Sequence, residues 1–218
     1  MIGPLDLVVP AVRTKHFACD SWAEVQEAVA ATREGRPIRS LRTDRPEWDP
    51  RPLAVGSLVE ALEERIDEDA CVHFGRVDLG DGDYFYGRLA LGLASSEPPP
   101  GWSVEVTGCG LDLDNPGHAH WVSREQANAR IEGLYELFDE FGGTLPTPTV
   151  LYPTPGGLRL LFIFGEPVAP AVAGAVICEL HDLYAEQGVE NDPAVRQWNR
   201  SHRLVYIRRE GAIKGGGQ

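Results

Sequence analysis

Apolar residues recur along this chain with two different periods, and the switches between them mark its elements. Ala127, Ile131, Leu134, Phe138 and Phe141 follow one another at helical spacing, four and three residues apart, and so line one face of a helix. Ser123 with Gln126 forms a capping box ahead of that series, and Gly142-Gly143 stops it. A second amphipathic helix is predicted over 170–187, with Ala173, Ile177, Leu180 and Tyr184 inward and Gly188 at its end. Upstream, Ser21 and Glu24 open a helix closing at Gly35, its apolar stripe made by Trp22, Val25 and Val29. Ser57 and Glu60 open another through about Ile66, with Leu58 and Leu62 inward.

Shorter apolar runs read as strands. Two of them, 70–77 and 84–91, flank the hairpin-type turn Leu79-Gly-Asp-Gly-Asp83. Another spans 103–113. A further pair, 147–152 and 158–164, is joined by Pro153-Thr-Pro-Gly-Gly157, and a last strand is predicted over 203–208 after a short helical turn at 192–200. The proline-rich stretch 36–56 reads as an extended connector. The clearest break, 95–101, divides an N-terminal αβ unit, 1–98, from a second unit, 99–218. The order in the second unit is βαββαβ, the ferredoxin-like or RRM-like pattern of an α/β (α+β) chain. That fold serves many functions, so the residues upon it must decide.

Composition narrows the field. With 218 residues, 43% hydrophobic and 24% charged, the chain is an ordinary globular one with room for one large core. It has no apolar run of about 20 residues, and its start does not read as a signal peptide, so a cytoplasmic protein without membrane contact is expected. The four cysteines, Cys19, Cys71, Cys109 and Cys178, form no Cys-x-x-Cys pair and read as small buried hydrophobes in a reducing compartment. A net charge of −13 argues against a surface coated with nucleic-acid contacts. Basic residues nevertheless gather in two strips, Arg33 to Arg51 and Arg196 to Lys214, either of which is a solvated face or one wall of a polyanion groove.

Chemistry enters at the end of the strand 103–113. Asp112 and Asp114 stand two residues apart, so both carboxylates project from one face while Leu111 and Leu113 project from the other. Like charges this close favour a cation between them, and a divalent metal is the usual one. A solvated strand end running into the Asn115-Pro116-Gly117 turn would have the same sequence.

Three segments in order now resemble the motifs of the archaeo-eukaryotic primase superfamily, in particular the primase-polymerase domains of phage and plasmid replication proteins. The first is the apolar strand ending in Leu111-Asp-Leu-Asp114. The second is the hairpin Thr154-Pro-Gly-Gly-Leu-Arg-Leu160. The third is Asn191-Asp-Pro-Ala-Val-Arg-Gln-Trp-Asn-Arg-Ser-His-Arg-Leu204, an acid leading through a polar turn into a basic-apolar strand. The likeness covers about residues 100–215. It implies an RRM-like catalytic palm packed with the N-terminal αβ unit, and template-directed nucleotidyl transfer by a DNA primase or polymerase. Asp112, Asp114 and Asp192 would hold two Mg²⁺ or Mn²⁺ ions. Arg159 and Arg203, with His202 and Lys214, would clamp the triphosphate of an NTP or dNTP, and Thr154, Gly156 and Gly157 would cradle its phosphates. A single-stranded DNA template and a helicase domain or partner are the implied associates. The chain departs from the family at Arg159, where a histidine is usual, and at Arg203-Leu-Val, where Arg-Leu-Pro is usual. Arginine keeps the phosphate-binding fork and loses the proton switch.

Each residue also has a plainer role. Asp192 precedes a proline and suits an N-cap, and Gly156-Gly157 suits a tight turn. His118 and His120 fit a polar loop or a template contact better than zinc, and Trp121, Trp198 and Tyr206 fit a core. A non-catalytic RRM-like single-strand binder would keep the fold without needing the acids. A metal-dependent phosphoryl or glycosyl transferase could share the Asp-x-Asp end, although Pro116 stands against a haloacid-dehalogenase signature.

Overall fold

A computed structural model describes residues 11–12, 18–34, 52–53, 71–203, 207–209 and 212–214. The strands are β1 (Ala11–Val12), β2 (Ala18–Cys19), β3 (Pro52–Leu53), β4 (Cys71–His73), β5 (Gly75–Asp78), β6 (Tyr84–Tyr86), β7 (Arg88–Leu89), β8 (Ser103–Asp114), β9 (Val150–Thr154), β10 (Gly157–Val168), β11 (Ser201–Arg203), β12 (Ile207–Arg209) and β13 (Ala212–Lys214). The helices are α1 (Trp22–Glu34), α2 (Arg124–Glu140) and α3 (Pro170–Glu186). The predicted helix from Ser57 and the first arginine strip beyond Arg33 lie outside the described residues.

Two predicted capping boxes close as expected. Ser21 Oγ accepts from the Glu24 N–H at 3.3 Å while Glu24 accepts from the Asp20 N–H at 2.6 Å. Ser123 Oγ accepts from the Gln126 N–H at 3.3 Å, and Gln126 accepts from the Val122 N–H at 2.9 Å. Each box satisfies two N–H groups that a helix start would otherwise leave without partners. On α3 all four predicted inward residues, Ala173, Ile177, Leu180 and Tyr184, are buried, and on α2 Ala127, Leu134 and Phe138 are.

The principal sheet is antiparallel in the order β6-β5-β8-β10-β9. One face of β8 and β10, with Leu111, Leu113, Leu158 and Leu160, is buried in the core shared with α2 and α3. On the opposite face of β8 the sequence supplies Gly108 and Gly110. A Cβ on Gly108 would strike the Phe162 carbonyl and the Phe74 ring, and one on Gly110 would strike the His202 ring. Those two glycines therefore let Phe74 and His202 pack directly onto the strand.

Of the predicted last strand, 203–208, the described residues pair in two different places. Ser201–Arg203 pairs with Cys71–His73, and Ile207–Arg209 forms a hairpin with Ala212–Lys214. The edge of β8 where a final βαββαβ strand would sit is taken by β5, paired antiparallel over Gly75–Asp78. A basic-apolar run reads as an edge strand in sequence, but that edge is already filled by chain from the first half. The helical turn predicted over 192–200 shrinks to Pro193–Val195. Cys19 and Cys109 are buried as expected, whereas Cys178 is exposed on α3. Among the described residues no helix is long and apolar enough to cross a membrane.

Candidate active site

The glycine face of β8 emerges from the core at Asp112 and Asp114. The register of β10 sets Arg159 opposite Asp112 and Gly157 opposite Asp114, and β9 then sets Tyr152 opposite Arg159. Asp112, Arg159 and Tyr152 thus form one row across three strands. Arg159 meets the carboxylate with its fork, Nε donating to Oδ1 at 2.5 Å and Nη2 to Oδ2 at 2.7 Å. The two side chains keep only 20% and 16% of their exposure. Burial alone would push the Asp112 carboxyl up, but the Arg159 charge and hydrogen bonds outweigh it and hold the group below its ordinary value. Burial opposes the charge on Arg159 in turn, and Tyr152 and Asp112 overcome that and raise it.

Asp114 lies in a different environment. Its side chain is 38% exposed and its partner is His118, whose Nδ1 stands 3.3 Å from Oδ2. Burial raises the Asp114 carboxyl, His118 partly offsets this, and the negative charges of Asp112 and Asp192 raise it further. His118 itself holds a left-handed backbone, φ 54°, uncommon for a residue with a side chain.

The second motif is pinned against the first by backbone contact. A Cβ on Gly157 would collide with the Leu113 carbonyl and crowd the Asp114 Cα, so this position admits only glycine. Asn115 N–H donates to the Gly156 carbonyl at 2.7 Å, and Trp121 Nε1 donates to the Thr154 carbonyl at 2.6 Å. From α2, Arg130 donates to Asn115 Oδ1 at 2.5 Å and to the Asp114 carbonyl at 3.2 Å. Arg130 and Asn115 escaped the sequence reading. Asn115 was visible there only as part of a turn, and the position of Arg130 on the polar side of α2 carried no signal.

The third motif arrives by its main chain. The Asp192 N–H donates to the Asp112 carbonyl at 2.9 Å, while Asp192 Oδ1 caps the following turn by accepting from the Ala194 N–H at 2.8 Å. Behind it, Asn191 donates to the His181 and Val189 carbonyls, and its Oδ1 lies 2.6 Å from His181 Nδ1. His181 is fully buried on α3, and burial lowers its basicity. Neither residue of this clamp was singled out by the sequence.

No protein-family signature and no curated protein matches the chain. Its structure is similar to the polymerase domain from Mycobacterium tuberculosis Ligase D in complex with DNA, at 14% identity and a TM-score of 0.37. The match covers 67% of this chain and 50% of that one, so the chain spans half the length of this neighbour.

The remaining sequence candidates are not all in one place. His202 is buried against Gly110, 5.7 Å from the Phe74 ring centroid. Burial first, then the Arg159 charge, depress its imidazole to about 3, so it is neutral beside the Asp112–Arg159 pair. It is a core residue, with no open face for phosphate. Arg203 and Lys214 have their backbones in β11 and β13, and their side chains lie outside the described residues. Trp198 is buried and Trp121 half-buried, while Tyr206 is outside the described residues. Among the described residues no three His, Cys, Asp or Glu side chains converge closely enough to hold a metal ion as they stand. The donor set itself suits a hard divalent cation: three carboxylates at one sheet end, with Asp114 disfavoured as an anion by the other two.

Proposed function

We propose that this chain is a template-directed nucleotidyltransferase, a DNA primase, a DNA polymerase or both, acting on single-stranded DNA in the replication of a phage, plasmid or mobile element. The observation that supports this reading is the convergence of three sequence segments on one end of β8. Arg159 and Gly157 lie opposite Asp112 and Asp114, and the Asp192 N–H is bonded to the Asp112 carbonyl. Segments 43 and 80 residues along the chain from the two aspartates, at Gly157 and Asp192, meet there, and a coincidental Asp-x-Asp strand end would need neither.

In this reading Mg²⁺ or Mn²⁺, held by Asp112, Asp114 and Asp192, would lower the pKa of the attacking 3′-hydroxyl and stabilise the leaving pyrophosphate. The chain's own residues supply the rest. Asp114, the more exposed acid, is the entry point, and Arg130 fixes the backbone from which it projects. Gly157 keeps the hairpin close to that backbone. Arg159 of the second motif and Arg203 of the third, with Lys214 beyond it, clamp the triphosphate of an NTP or dNTP. A helicase domain or separate helicase would open the template, and the setting would be the cytoplasm.

A second reading has its own support. Asp112 is committed to Arg159 and Asp192 to a cap, which are structural duties that a non-catalytic single-strand-binding module would also need. Incubation with single-stranded templates, with and without a primer, plus Mg²⁺ or Mn²⁺ and labelled NTPs or dNTPs, separates the two. Primer extension or dinucleotide synthesis that disappears in Asp112→Ala/Asp114→Ala is expected. Unaltered single-strand binding with no synthesis on any template would give the site to the binding module.

A further inference from the structure

Arg159 sits where the proposed site needs a cation, and the geometry points to its being one. We propose that Arg159 is the resident counter-ion of Asp112, that a divalent cation gains Asp112 only by displacing it, and that this exchange sets the cation affinity of the site. The inference rests on the nucleotidyltransferase reading and assigns Arg159 a positioning role there.

Both carboxylate oxygens of Asp112 are taken by one planar fork, the geometry in which arginine binds a carboxylate most strongly. The pair is directly cross-strand in a continuous ladder, so the backbone holds it in register without help from a ligand. Tyr152 closes the far side of the row, and the buried ring of His202 lies on Gly110, one step back along the same face of β8. The pair is therefore shielded, and its attraction is stronger than that of a surface ion pair.

The other two acids show the complementary pattern. Asp114 is more open than Asp112, and its partner is the exposed His118, Nδ1 to Oδ2 3.3 Å. Asp192 spends one oxygen on its cap. The Asp192 N–H is bonded to the Asp112 carbonyl, yet among the described residues no three side chains converge as metal ligands. Of the three acids, Asp112 has both of its oxygens bound by one cationic side chain, and the exchange frees the guanidinium for the phosphate role its motif implies. A protein without bound nucleotide would thus be held in a low-affinity state for metal, because arginine and divalent cation compete for one ligand.

The experiment measures Mn²⁺ binding by electron paramagnetic resonance on the purified chain, for wild type, Arg159→Gln, Arg159→Lys and Asp112→Asn/Arg159→Gln. Arg159→Gln is expected to bind Mn²⁺ about tenfold more tightly than wild type, within the usual range of coupling between competing ligands. The lysine variant should fall between, and the double variant should lose the gain. Since Arg159→Gln leaves Asp112 half-buried without its partner, folding is checked by thermal melting, and the lysine variant carries the comparison if glutamine does not fold. In wild type, the Arg159 side-chain N–H signals in an NMR titration with Mg²⁺ should shift and exchange faster as the fork opens. Equal or weaker Mn²⁺ binding by folded Arg159 variants, or Arg159 signals unmoved by Mg²⁺ that does bind, overturns the exchange and leaves the nucleotidyltransferase reading standing. Absence of Mn²⁺ binding in every variant, wild type included, overturns both.

Discussion

Single glycines decide which side chains can lie on β8: Gly110 leaves the space that the His202 ring fills, and Gly108 the space for Phe74. Alternation along β8 placed Asp112 and Asp114 on one face, and the structure keeps them there. That Arg159 would spend its fork on Asp112 depends on the register between strands some forty residues apart, and no local pattern encodes a register. His202 was hidden for a related reason. A histidine in a basic run looks exposed until Gly110, far away in sequence, is seen to leave a hole for its ring. Its burial has a consequence for acid stability. The folded-state imidazole is depressed to about 3, against about 6.5 in the unfolded chain, so the unfolded state binds more protons between those values. The stability it contributes is therefore complete above about pH 6.5 and is lost progressively as pH falls toward 3. His202→Gln should remove up to about 1.4 kcal/mol per pH unit from the slope of unfolding free energy in that window. Urea unfolding from pH 4 to 7 measures it, and a slope the same in both proteins would mean that the ring is solvated. Asp112 acts in the same direction at lower pH, since its depressed carboxyl must be protonated for the pair to break.

Elements were legible wherever a boundary is chemical. Two capping boxes fixed the starts of α1 and α2, Gly188 with φ 74° closes α3, and helical spacing named four of the five buried residues of α3, His181 being the fifth. Strand pairing was less so, because β8 finds its neighbour β5 across the proline-rich break and not in the predicted last strand. The segment after α3 shows why. Its first residues are held by the Asn191 side chain reaching back to His181 on the helix, and its strand ladder, Ser201–Arg203, is made with β4 and not with β8. Asn191→Ala would leave His181 Nδ1 without its partner in a buried site and two carbonyls short of a donor, which costs about 1–3 kcal/mol. The expected result is a lower urea midpoint with an unchanged m-value, together with faster hydrogen exchange at the Asp192 amide than at β8 amides. An unchanged midpoint would show the third motif to be anchored by Asp192 alone.

On the scale of the whole molecule, the break at 95–101 is a connection within one sheet. Strand β5 comes before it and β8 after it, and they are bonded edge to edge from Gly75–Val106 to Asp78–Ser103. Phe74, also from the first half, covers Gly108, and its carbonyl accepts both the N–H and the hydroxyl of Thr107, at 2.9 and 3.1 Å. Trp22 on α1 reaches over the loop, donating to Ser96 Oγ at 2.9 Å and packing edge-on to Trp102. A fragment of residues 99–218 would retain all three sequence motifs and both helices of the second half. It would lose β5, leaving a long, apolar β8 edge without a partner, and it would uncover the glycine face on which Phe74 lies. Such a fragment should show helical circular dichroism without a cooperative thermal transition and should associate at micromolar concentration, while co-expression with residues 1–98 should restore a single cooperative melt. If 99–218 alone melts cooperatively as a monomer, β5 is an accessory to a self-sufficient unit. The requirement for β5 would follow from geometry: the strand that carries Asp112 and Asp114 is held on one side by the hairpin that supplies Arg159 and on the other by a strand from the first half, so the position of the acids depends on both.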